Sequence, residues 1–418
     1  MPVTLRSLLT VALLALLSLT SVSARADDAP AATVDAPASD TPDEGTPDAG
    51  RPETEAPASE PVAPEPVTEE ALAASIERGI DYLVKAQNPN GSWGSATRTK
   101  GLNIYAPVPG SHQAFRAAVT SLCISALCDI DSDRPDARSA LERSEEWLIE
   151  NLPAVRRATP DAIYNVWAHG YSIQALVRMS RRTTDPERQK VIRDLVEQQF
   201  DRLARYESVD GGWGYYDFDV GSKQPGGSSI SFVNAAILIA LYEARDAGFE
   251  PPERLVQRAI DATERQRLPD FSYLYGEYLK WQPRRGINRP GGSLGRSQAC
   301  NAALRLWGDE TVTDEVIATW LQKLIDRNGW LDIGRKRPIP HEAWFQVAGY
   351  FFYFGHYYAG YEIDILPASE RPPFQQGLAR IILERQETDG SWWDFPFYDY
   401  HQPYGTAFAL MTLIRCQP

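Results

Sequence analysis

A turn sequence recurs along this chain at a near-constant spacing, and it restricts the fold more than any other feature. Residues 87–94 read QNPNGSWG, 207–214 read ESVDGGWG and 386–393 read QETDGSWW, with a shortened copy, DRNGW, at 326–330. The full copies share a long polar residue, three further residues, a glycine, one residue and a tryptophan. Trp93, Trp213, Trp330 and Trp392 are separated by 120, 117 and 62 residues, which divides the span into steps of about 60. Two steps lack the signature. Near 153 the sequence ENLPAVRR has lost it, and near 271 QRLPDFSY sets Phe271 where a tryptophan would stand. Six units result, each too small to bury its apolar face alone, so neighbours must stack.

Each unit predicts two helices of different character. The first is amphipathic: Ile76, Ile80, Leu83 and Val84 keep helical spacing, as do Leu255, Val256, Ala259 and Ile260, so one face is buried. The second is apolar nearly all round, as in AAVTSLCISAL (117–127), NAAILIALYEA (234–244) and TAFALMTLI (406–414). That pattern suits a helix touched on every side. Outer and inner helices therefore alternate, and six hairpins closing on themselves predict an all-α fold, an (α/α)6 toroid of six helical hairpins.

The repeated Q-x3-G-x-W turn on paired helices resembles the repeat of squalene-hopene cyclases and of protein prenyltransferase β subunits, over roughly residues 72–416. The resemblance implies a ring around an apolar, aromatic-lined cavity for isoprenoid chains, with Gln87, Trp93, Trp213, Gln386 and Trp392 as braces between helix ends. The chain departs from the family's chemistry. There is no DxDD for protonating an alkene or epoxide; Asp217 and Asp219 in YYDFDVG are a faint echo, and DIDSD (129–133) falls at the opposite end of an inner helix. Where the prenyltransferase branch holds zinc through Asp-x-Cys and a distant His, this chain has Gln298 before Cys300, with His401 in YHQPY (400–404). A neutral amide is a poor zinc ligand, so neither a metal nor a cofactor is expected.

Composition divides the chain. Arg6, an apolar run from Leu8 to Leu19 and Ala24-Arg25-Ala26 read as a secretory signal peptide over residues 1–26, too short to span a bilayer. Residues 27–70 hold nine Pro, nine Ala, thirteen acidic residues, one Arg and no aromatic, which predicts a disordered acidic linker. The toroid takes 71–418. The formal charge of −14 is thus carried mainly by the linker, and the ring is nearly neutral, which argues against nucleic acid as a partner. The protein is expected outside the cytoplasm, periplasmic or extracellular, and not integral to a membrane once the signal is cleaved. The four cysteines are too few for a disulfide framework.

If the inner helices are parallel, their first turns open on one mouth. His112, His169, His341 and His401 all precede or begin an inner helix, together with Asp217, Asp219, Glu342 and Asp399. The candidate catalytic residues are Asp217, Asp219, Asp399 and His401, with Asp399 orienting and charging the His401 imidazole. Candidate ligand contacts are Trp167, His169, His341, Glu342, Trp344 and Tyr404, in a cavity for an apolar or carbohydrate ligand. Two other functions share this sequence: a non-enzymatic ring that holds other envelope proteins, and a polysaccharide lyase or hydrolase on the same architecture.

Overall fold

The computed structural model describes residues 65–100, 109–156, 166–214, 229–282, 285–341 and 346–417. Among them thirteen α-helices form: α1 (Glu69–Ala86), α2 (Pro109–Ile130), α3 (Pro135–Asn151), α4 (Trp167–Arg182), α5 (Pro186–Arg205), α6 (Ser231–Asp246), α7 (Glu253–Glu264), α8 (Pro290–Leu306), α9 (Asp314–Asp326), α10 (Asn328–Asp332), α11 (Phe351–Ile365), α12 (Arg371–Leu383) and α13 (His401–Arg415). The inner helices pack in the order α2, α4, α6, α8, α11, α13 and back to α2, a closed ring. Helices α3, α5, α7 and α9 lie outside, each mainly against the inner helix before it. The first outer helix has no predecessor, so α1 packs on α13 and α12, sealing the ring.

Local sequence explains where these helices start. Thr68 caps α1, its hydroxyl accepting the Ala71 N–H at 3.2 Å, with Glu69 and Glu70 in the first turn favouring the positive helix end. Asp185 and Thr313 cap α5 and α9 in the same way. Outer helices bury one stripe, such as Leu72, Ile76, Ile80 and Leu83 of α1. The segment His112–Ile130 is long and apolar enough to cross a membrane, but 72% of it is buried within the protein, as befits an inner helix. Residues 65–68, assigned to the linker by composition, run extended against α12: the Val67 N–H donates to Gln376 Oε1 at 2.8 Å.

The repeated turn is a brace built the same way three times. Trp93, Trp213 and Trp392 are fully buried, and their indole N–H groups donate to the carbonyls of Leu83, Leu203 and Ile382 at 2.8–2.9 Å. Each tryptophan's backbone N–H in turn donates to a side chain of the following inner helix, Thr120, Asn234 or Thr406. Gln87 Nε2 reaches the Ala140 carbonyl at 2.7 Å and Gln386 Nε2 the Ser75 carbonyl at 2.9 Å, so each clamps the next outer helix. Glu207 cannot donate, and it pairs instead with Arg258 at 2.5 Å. The turn glycine has φ near +90°, and a Cβ on Gly91 or Gly390 would lie 2.4 or 2.2 Å from a carbonyl oxygen of that helix. Only glycine satisfies both demands.

Two readings of the repeat are corrected. Tyr273, not Phe271, occupies the tryptophan position: Leu268 N–H bonds the Ser272 carbonyl as Glu387 N–H bonds that of Ser391. Phe271 therefore sits at the glycine position, with φ of 61°, and Tyr273 is fully buried. The shortened copy at 326–330 does not make the turn: Asn328–Asp332 coils into the short helix α10, and Trp330 lies in it, half-buried under the Arg327 guanidinium.

Candidate functional site

Opposite ends of the inner helices carry different chemistry, and the contacts show that these helices run parallel. At their C-terminal ends Arg178 of α4 binds Asp129 of α2 at 2.8 Å and Glu243 of α6 at 2.9 Å. Tyr361 of α11 donates to Glu243, and Gln174 Nε2 donates to the Tyr361 hydroxyl at 3.1 Å. Arg415 of α13 lies over the Tyr361 ring at 4.3 Å and binds Asp364 at 3.0 Å. Burial alone would lower the Arg178 pKa, but Glu243 and Asp129 outweigh it and hold it well above the ordinary value. Five of the six inner helices are thereby tied to one another at this end.

Toward the N-terminal ends the lumen is lined by aromatic rings. Trp167, the first residue of α4, is half-buried and stacks on Tyr171 one turn deeper, centroids 5.4 Å apart. It also meets Phe232 of α6 at 6.1 Å and Phe354 of α11 at 6.0 Å. Phe408 of α13 closes the floor, 5.9 Å from Tyr171 and 6.4 Å from Phe354. Tyr404 stands one turn above Phe408, half-buried, at 6.2 Å. Edge-to-face and offset contacts of this kind are the favoured aromatic geometries. These rings form an aromatic cup between α4, α6, α11 and α13.

The residues singled out from sequence are distributed unevenly around this cup. Trp167 and Tyr404 line it. His169 faces the outer helix: its Nδ1 lies 2.8 Å from Gln199 Oε1, its ring stacks on Tyr206, and burial, opposed by Gln199, lowers its pKa to about 4. His341 has φ of 61° and bonds the Gln346 carbonyl at 2.6 Å and the Tyr350 hydroxyl at 3.1 Å. Its pKa is lowered by burial despite that carbonyl.

Asp399 and His401 do not form the expected pair. Asp399 is exposed and accepts the Ser95 hydroxyl at 3.0 Å. His401 Nδ1 bonds the Tyr398 carbonyl at 2.7 Å, and burial lowers its pKa against the pull of that carbonyl and of Asp399. Asp217, Asp219, Glu342 and Trp344 lie outside the described residues. Gln298 braces the Leu294 and Trp320 carbonyls, and Cys300 is buried on a different helix from His401. No group of three metal-ligating side chains gathers among the described residues.

Sequence reasoning missed Asp394. It follows the last repeat turn and is fully buried. One carboxylate oxygen accepts the Tyr404 hydroxyl at 2.7 Å, and the other accepts the Tyr353 N–H in the first turn of α11 at 3.0 Å. Burial raises its pKa to about 6, against these two bonds, the Arg335 charge and the Phe395 backbone N–H. A carboxyl that changes charge near neutrality thus stands directly behind a cup-lining phenol.

No protein-family model matches the chain, and no curated sequence is similar to it. Among solved structures, cellobiose 2-epimerase from Spirochaeta thermophila is similar with a TM-score of 0.54 and 14% identity, over 83% of this chain and 96% of that one. A type II terpene cyclase from Scytonema (15% identity, 83% and 98% covered, TM-score 0.47) and an α-1,6-mannanase from Salegentibacter (11%, 82% and 98%, 0.47) are also similar. At such identities the likeness is one of fold, and with the closed helix order it makes the chain an (α/α)6 toroid.

Proposed function

We propose that this protein is an exported ring whose mouth admits an apolar, isoprenoid-like chain onto the aromatic floor of the cup. The observation that supports this reading most is the floor itself. Trp167, Tyr171, Phe232, Phe354 and Phe408 come from four inner helices and meet ring to ring, while the ion pairs of Arg178 tie α2, α4 and α6 at the other end. Burying a hydrocarbon chain there gains about 0.8 kcal/mol per methylene. A carbohydrate is the second reading, favoured by the half-buried indole of Trp167, since an exposed indole face also stacks on a sugar.

Native mass spectrometry of the protein purified from its own host tests the proposal. A lipid-sized adduct that is retained by the wild type and lost in a folded Trp167→Ala variant is the expected result. Co-purification of an oligosaccharide alone favours the second reading. A protein partner alone, with an empty cup, makes the ring a scaffold.

A further inference from the structure

The outside of the ring carries two grooves of one design and opposite charge. Each lies between a repeat turn and the next outer helix. At the first turn the groove encloses about 360 Å³, and Pro89 and Asn90 face Glu142, Glu146, Trp147 and Glu150 of α3 across it. At the turn that places Tyr273, it encloses about 370 Å³, and Pro269 and Asp270 face Trp320, Lys323 and Arg327 of α9 and its cap. The two turns match in register: Asn88 N–H bonds the Ser92 carbonyl and Leu268 N–H that of Ser272, both at 2.8 Å. The grooves therefore stand at the same height on the ring.

Some charges in each groove are already engaged. Asp270 is turned onto its own turn, where one oxygen accepts the Ser272 N–H at 3.0 Å and the Ser272 hydroxyl at 2.6 Å. Arg143 donates to Ser139 and Gln87, and Glu146 shares Arg188 with Glu145. Lys323 and Arg327 on one side, and Glu142 and Glu150 on the other, have no ion-pair partner among the described residues. Arg327, Glu142 and Glu150 are exposed and Lys323 is half-buried. The Lys323 ammonium lies 4.2 Å over the Trp320 ring and the Arg327 guanidinium 5.4 Å from that of Trp330. Such contacts hold a cation in place without neutralising it.

We propose that a second copy of this chain occupies the basic groove, with the glutamate face of α3 in one ring seated on Lys323 and Arg327 of the next. Position supports this as well as charge. Helix α3 lies against α2 and α9 against α8, and those inner helices are three places apart in a ring of six, which is halfway round. Matching faces on opposite sides of a body meet by sideways displacement alone, without rotation. The contact is heterologous and does not close on itself, so it builds an open row of rings whose mouths all point the same way. Opposite charge sets the register of the contact, and because the groups are solvent-exposed the association is weak and screened by salt. The inference does not depend on what the cup holds.

The test is sedimentation velocity of the full chain over a wide concentration range. In about 20 mM salt the mean mass is expected to rise with concentration and to pass that of a dimer, and in about 0.5 M salt association should weaken roughly tenfold or more. Two charge-reversed variants follow, Lys323→Glu with Arg327→Glu, and Glu142→Lys with Glu150→Lys. Each should melt like the wild type and stay monomeric alone, since its two faces now carry the same sign. Mixed together they should associate again, because each reversed face meets its complement on the other variant. Association that stops at a closed dimer, survives in either variant alone, or fails to return on mixing overturns the row. A wild type that stays monomeric at every concentration also overturns it, and if that monomer captures poly-glutamate through Lys323 the groove belongs to an acidic partner instead.

Discussion

The two ends of the inner helices are made of the same helices and do opposite work. At the C-terminal end, charged side chains of five helices meet in pairs, Arg178 with Asp129 and Glu243, Arg415 with Asp364. At the N-terminal end four of these helices present rings, two of them half-buried, backed by the buried Asp394. Paired charges suit a lock because separating them leaves a buried ion uncompensated. Rings suit a mouth because apolar surface tolerates being exposed when empty and gains when covered. The fold thus concentrates rigidity at one end and adaptability at the other.

Breaking the lock should produce the largest effect. Arg178→Ala leaves Glu243 and Asp129 without their cation, and a cost of about 3–5 kcal/mol in chemical unfolding is expected. Trp213→Ala and Trp392→Ala, which remove fully buried braces from the repeat turns, should each cost a similar 3–5 kcal/mol or so. At the mouth Trp167→Ala removes a ring that is only half-buried, so roughly 2 kcal/mol is expected. A larger loss there than in Arg178→Ala would reverse the comparison.

Glu362 sharpens it from inside the ring wall. This α11 carboxyl is fully buried, neither oxygen has a hydrogen-bond partner among the described residues, and burial pushes its pKa well above the ordinary 4.5. The folded state therefore keeps a proton that the unfolded chain releases above about pH 4.5, and stability falls as pH rises through that range. Glu362→Gln should melt like the wild type near pH 4 and higher than it at pH 8. Identical pH profiles would show that Glu362 carries no such penalty. The smallest effect belongs to Asp399→Asn, an exposed position whose only side-chain bond described is to Ser95. Its melting temperature should shift by no more than about 0.5 kcal/mol allows.

How much was legible depended on whether the signal was local. The braces could be found because the tryptophan, the glycine and the long polar residue each perform a short-range task that only those residue types perform. The register at 271 was missed by counting to an aromatic residue. The informative pattern was acid, any residue, serine, aromatic: Asp270 and Ser272 make the bond that Asp389 and Ser391 make, at 3.0 Å in both. His169 could have been turned outward from sequence too, since it lies about 200° around the helix from Trp167. Asp394 could not have been found this way. Nothing beside it in the chain announces burial, because its partners arrive from α11 and α13.

By itself the sequence determined the six units, the alternation of one-sided and all-round apolar helices, and hence a closed all-α ring, because repeat period and helical periodicity are properties of neighbouring residues. The tertiary structure decided which ring faces form the floor, which histidines turn away, and that one acid among many sits dry behind Tyr404. Those outcomes depend on burial and on approach between residues tens to hundreds of positions apart, and desolvation is set by the whole packed ring rather than by any segment of it.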